Sequence, residues 1–248
     1  MPTSLFRGVV CIAVLCALPL SLFAASGGLS KESIDFEGKR HEYFVFVPKI
    51  DTGGAPPPML VLLHGSGHDG RSLLDPWKKL ATREGLVLVA PNAQNPTAWQ
   101  SPADGPEALT GIADAVKKQY GVDPNRVYLF GHSAGAVFAL LMSLWEPRYF
   151  AAIAVHAGAI PPGNEDRVQS ALQAARRKTP IQIQVGTDDR FFPVQAVRAT
   201  RDLFSAGGFT VDLREIPRHD HNYYVISDQI NREAWAFLKE RTLSVNSK

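Results

Sequence analysis

The run RVYLFGHSAGAVFALLMSLW, residues 126–145, passes from a strand-like apolar stretch to a helix-like one with only Gly131-His132-Ser133-Ala134-Gly135 between them. A strand that turns into a helix without a linker leaves the two backbones close together. Glycine on either side of the serine supplies the space, and the serine is held in a strained turn with its hydroxyl projecting above the sheet. The stretch therefore predicts a sheet with helices packed on it and Ser133 as a nucleophile, rather than a small residue in a turn.

The rest of the chain repeats the strand and helix signals in alternation. HEYFVFVP (41–48) and MLVLLHG (59–65) read as strands around the Gly/Pro-rich loop TGGAPPP, residues 52–58. Helical stretches over 73–84, over 107–120 and from 133 onward precede the strands LVLVAP, RVYLFG and FAAIAVHAG in a staggered series. Helices over 165–178, 194–206 and 223–238 flank IQIQVG (181–186) and TVDLREI (210–216). These strands are short continuous apolar runs, the pattern of a parallel sheet covered on both faces. The fold class predicted is α/β, a doubly wound, mainly parallel sheet of about eight strands, in one domain over 27–248.

Residues 1–26 form a separate object. Arg7 is the only charge before Lys31, and the apolar run Val9 to Phe23 is followed by Ala24, Ala25 and Ser26. That is the layout of a signal peptide and cleavage region, which predicts a secreted or periplasmic protein without stable membrane association after processing. Both cysteines, Cys11 and Cys16, fall inside it, so the mature chain holds no thiol nucleophile and no disulfide. With Arg7 removed, 25 basic residues face 24 acidic ones, and no basic stripe suggests a nucleic-acid partner.

A serine hydroxyl needs a base to take its proton and a carboxylate to orient that base. In a doubly wound sheet both come from loops at the carboxyl ends of later strands. GTDDRFFP (186–193) carries Asp188 and Asp189; RHDHNYY (218–224) carries His219 and His221. Each pair leaves two choices, and the histidines, two apart in an extended loop, point to opposite sides.

Taken together, these motifs resemble the α/β-hydrolase superfamily. GTDDRFFP resembles its G-x-x-D-x-x-V-P acid loop, with Phe192 in place of the small aliphatic residue, and the resemblance puts the acid on Asp189. DHNYY (220–224) resembles the histidine segment of S-formylglutathione hydrolases and puts the base on His221. With HGSG and VDPNRVYLFGHSAG, the chain looks most like polyhydroxybutyrate-depolymerase-like and feruloyl-esterase-like carboxylesterases. The resemblance implies a serine carboxylesterase; Asp188 is left to hydrogen-bond the loop backbone, as Asp often does in turns.

The oxyanion of such a reaction is held by two backbone N–H groups. The residue after the nucleophile, Ala134, is one donor; in HGSG the other is Ser66, with Gly67 as the alternative and His64 holding the loop. Trp99, Phe191 and Phe192, with Tyr223 and Tyr224, are candidates for an apolar wall around an aryl or short acyl group, though Trp99 would equally serve to anchor its long loop. The short link before residue 165 leaves no room for a large helical lid. His132 is read as packing under the sheet, and His156 as a pocket wall or a core residue.

No metal or other cofactor is expected. His64 and His68 are four apart, but Gly65 and Gly67 argue against the helix that would align them, and His219 with His221 lacks a third ligand. Neither a phosphate-binding glycine loop nor a dinucleotide fingerprint occurs. An ester, small or polymer-linked, is the partner expected; the sequence leaves open a peptidase or amidase using the same residues, or an inactive binding module on the same fold.

Overall fold

The computed structural model describes residues 27–49, 54–161, 163 and 165–243. The proposed signal peptide lies outside them. Eight strands form one sheet: β1 (Gly28–Phe36), β2 (Lys39–Val47), β3 (Met59–Leu63), β4 (Val87–Pro91), β5 (Val127–His132), β6 (Ala152–His156), β7 (Ile181–Gly186) and β8 (Val211–Ile216), in the order β1-β2-β4-β3-β5-β6-β7-β8. β1 and β2 are antiparallel to their neighbours; from β4 through β8 every pairing is parallel.

Burial along β5 shows why the central strands read as unbroken apolar runs. Val127 and Leu129 join the core on one face of the sheet, and Tyr128 and Phe130 join the core on the other. Helices α2 (Pro106–Tyr120), α3 (Ala134–Trp145), α4 (Glu165–Ala174) and α5 (Val194–Ala206) cover the first face. Helices α1 (Gly70–Glu84) and α6 (Ser227–Leu238) cover the second. Local signals set the helix ends: the Asp69 side chain accepts from Ser72 N–H at 2.8 Å to start α1, and left-handed Gly85, φ 68°, ends it.

Three elements depart from the sequence reading. β1 carries no strand signal in the sequence: GLSKESIDF is mostly polar and pairs only as an edge strand with β2, through a turn in which Glu37 and Gly38 both have positive φ. α4 stops at Ala174 instead of 178, because Arg177 turns back to donate to the carbonyls of Pro147, Phe150 and Ala151. The final helix is split. Tyr223–Val225 form a 3-10 turn, with the Asn222 side chain accepting from Tyr224 N–H, and α6 begins only at Ser227.

Candidate active site

Ser133 sits between β5 and α3 with φ 55° and ψ −117°, a conformation costly for a residue with a side chain. The flanking glycines are required by space. A Cβ on Gly131 would lie 2.3 Å from Gly135 O, and one on Gly135 would lie 2.1 Å from Leu63 O. The turn is tied to the next strand by Ser133 N–H donating to His156 O at 3.1 Å. Its hydroxyl thus stands at the carboxyl edge of the sheet.

Two loops meet it there. The loop after β7 and the loop after β8 are joined by Thr187 N–H to Ile216 O, Asp188 N–H to His219 O and Arg218 N–H to Thr187 Oγ1, all at 2.8–2.9 Å. Gly186 makes the contact possible, since a Cβ there would be 2.0 Å from His219 O. On this platform His221 Nε2 lies 2.9 Å from Ser133 Oγ and His221 Nδ1 lies 2.9 Å from Asp189 Oδ2. An ionised carboxylate only accepts, so Nδ1–H donates to Asp189, and the ring in its neutral form presents the Nε2 lone pair to the serine hydroxyl.

Asp189 is buried, and its second oxygen accepts from the N–H groups of both Phe191 and Phe192 at 2.9 Å. Burial would push this carboxyl up, but the bonds from His221 and from Phe192 and Phe191 N–H outweigh it and hold the group below the usual carboxylate range. The other candidates are placed elsewhere. Asp188 is exposed and accepts from the Thr187 hydroxyl at 3.3 Å, rather than bonding the loop backbone through its side chain. His219 is buried on the far side of its loop, its ring 5.3 Å from that of His156.

The loop after β3 lies against the serine: a Cβ on Gly65 would come within 3.3 Å of Ser133 Cβ. His64 holds this loop. Its Nε2 accepts from Ala93 N–H at 3.1 Å, which leaves the proton on Nδ1 to donate to Gly65 O at 2.9 Å. Gly67 N–H is already given to Pro96 O at 2.8 Å, so Ser66 N–H is the better placed of the two donors considered. Ala134, the first residue of α3, has an N–H without an intrahelical acceptor.

The aromatic residues divide. Phe192 stacks on the His221 ring at 5.8 Å and 19°, and Phe191, 77% exposed, stands 4.8 Å from the same ring. Trp99 donates from Nε1 to His64 O at 2.9 Å and packs between His64 and Phe138, so it anchors its loop and braces the one carrying Ser66. Buried Asp104 supports the same segment by accepting from Gln94 and Gln100 N–H. Tyr223 is fully buried beneath the site and bonded to Asn231, and half-buried Tyr224 lies over His68, 5.4 Å away. A cleft of about 330 Å³ borders His64 and His68, with Arg40, Asp69, Asn92 and Gln94 on its walls.

His132 does not simply pack under the sheet: its ring lies 5.1 Å from that of His221, with Tyr223 stacked on it at 5.3 Å. Only the sheet register and the return of the histidine loop bring these residues together, so no local pattern announces the contact.

A strained serine, a neutral imidazole and a buried carboxylate in hydrogen-bonded series can generate an oxygen nucleophile without a metal or cofactor. The sheet, its two helical layers and this arrangement define an α/β-hydrolase fold. A family model described as Esterase matches residues 37–238, and the chain belongs to that family. A poly(3-hydroxybutyrate) depolymerase of Ralstonia pickettii is 28% identical over 182 residues, 62% of this chain and 37% of that protein. A bifunctional acetylxylan esterase/xylanase of Neocallimastix patriciarum is 32% identical over 145 residues, 56% of this chain and 20% of that protein. The chain thus spans well under half the length of either relative. Among solved structures, an S-formylglutathione hydrolase of Staphylococcus aureus superposes with a TM-score of 0.69 at 16% identity, covering 85% of this chain and 99% of that one.

Proposed function

We propose that the chain is an exported serine carboxylesterase acting on short-chain or aryl carboxylic esters through an acyl-enzyme on Ser133. The observation that carries this reading is the unbroken series Ser133 Oγ, His221, Asp189, with both links at 2.9 Å and the serine strained into position. His221 Nε2 takes the hydroxyl proton as Oγ attacks the ester carbonyl, and Asp189 stabilises the imidazolium that forms. The carbonyl oxygen becomes an oxyanion held by Ser66 and Ala134 N–H. As the C–O bond to the alcohol breaks, the Nε2 proton passes to the departing oxygen. Water then repeats the sequence on the acyl-enzyme: its proton goes to Nε2, its oxygen attacks, and Ser133 recovers the proton as the acid leaves.

The surroundings support this substrate class. Phe191 and Phe192 give the mouth an apolar side on which an aryl or short acyl group can lie. Support for ester chemistry also comes from membership of the Esterase family and from the named activities of the relatives. The test is turnover of a panel of aryl esters, acyl chains of increasing length and peptide amides, with fluorophosphonate labelling of the wild type and of Ser133→Ala. Ester turnover and labelling lost together in the variant is the expected result. Labelling without turnover of any ester would mean an inactive binding module, and preference for amides would make the protein a peptidase.

A further inference from the structure

Beneath the His221 ring runs a row of buried polar side chains at one level of three adjacent strands. β5, β6 and β7 pair in register with His132 opposite His156 and His156 opposite Gln184, so the three side chains stand on the same face of the sheet. His132 is 4% exposed and the other two are fully buried. His132 Nδ1 and His156 Nδ1 are 3.1 Å apart, and one hydrogen must be shared between them.

The far end of the row bears on which ring carries it. Gln184 Nε2 donates to Gln182 Oε1 at 3.0 Å and to Ile230 O at 3.1 Å, which uses both amide hydrogens. Its buried Oε1 is left with lone pairs and no donor, and His156 Nε2 is buried and unpartnered as well. Neither atom has a hydrogen-bond partner, and the two are of opposite kind only when His156 Nε2 carries a proton. With Nε2 protonated, neutral His156 accepts at Nδ1, and the shared hydrogen belongs to His132 Nδ1. His132 then has an unprotonated Nε2, beside the Cδ2 that lies 3.2 Å from the Cβ position of Gly65, on the serine side.

We propose that His132 is a positioning residue for His221: its neutral ring, fixed in the Nδ1–H tautomer by His156, is the floor against which the base is set. The two rings are 5.1 Å apart and inclined by 36°, and Tyr223 holds the His132 ring from another side. A neutral floor matters because the reaction places a positive charge on His221, and a protonated His132 would oppose it. Burial, then the neighbouring His221 and more weakly His68, lower the His132 pKa to about 3, against smaller opposing effects from the His156 backbone and Asp189.

The inference rests on His221 being the base, and two measurements separate its failure from failure of that reading. Nitrogen-15 spectra of histidine-labelled, unliganded wild-type protein report tautomers without turnover. A hydrogen-bonded His132 Nδ1–H with an unprotonated Nε2, and the opposite tautomer for His156, is expected; the reverse pattern overturns the proposal. The second compares His132→Ala with His132→Phe on a soluble aryl ester, after circular dichroism has shown both to be folded. His132→Ala should lose kcat on the order of tenfold or more with KM little changed, because a base set loosely is out of line only during reaction. His132→Phe, which restores a flat ring, should recover most of the loss. Wild-type kcat in His132→Ala, or equal impairment in both variants, overturns the proposal even if Ser133→Ala is inactive. Should His132→Ala fail to fold, the spectra of the wild type decide alone.

Discussion

Gly135 lies so close to Leu63 that a Cβ on it would sit 2.1 Å from the Leu63 carbonyl oxygen. This contact joins the start of α3 to the end of β3, and so joins the serine turn to the loop carrying Ser66. Gly135→Ala should destabilise the fold by about 1–3 kcal/mol through overpacking and should also lower kcat, as the two proposed oxyanion donors move apart. Chemical denaturation and ester kinetics on the same preparation test both. Unchanged stability would show that the backbones separate without cost.

Asp189 and Asp188 are adjacent but differently placed, one buried against His221 and the other exposed. Asp189→Asn should lower kcat by about 10³–10⁴, since an amide NH₂ can face Nδ1 and favour the wrong tautomer. Asp188→Asn should stay near wild type. If the exposed residue proved the damaging one, the acid would lie one position earlier.

His221 and His219 separate in the same way. His221→Ala should abolish turnover, whereas His219→Ala, whose ring packs on His156 away from the serine, should keep most of it while lowering the thermal midpoint. An active His221→Ala enzyme would remove the proposed base from the mechanism.

Much of this arrangement is legible in the chain because its signals are local. The glycines around Ser133, the paired aspartates after IQIQVG and the paired histidines after TVDLREI each follow an apolar strand, so topology alone carries them to one edge of the sheet. β1 is not legible, because an edge strand such as GLSKESIDF, with one face to water, lacks the apolar run that marks a central strand. The contact between His132 and His221 is hidden for another reason. It depends on the register of three strands and on a loop 88 residues beyond the serine, which no short window of sequence contains.

The buried histidines around the site predict how the fold responds to acid. His64, His132, His156 and His219 all have pKa values lowered first by burial. For each, the unfolded chain binds a proton more readily than the folded one, so stability is full above the unfolded value of 6.5 and falls as pH drops below it; for His132 the loss continues to about 3. Asp189 has the same sign but acts lower, in the carboxylate range, so the interval from pH 6.5 to about 5 reports mainly the histidines. Denaturation free energy should therefore decline with acidification across that interval, and His156→Phe should make the decline shallower by removing one buried imidazole that resists protonation. A stability that is flat from neutrality to about pH 5 would mean that these rings accept protons in place, and that the layer beneath His221 is far better solvated than its burial implies.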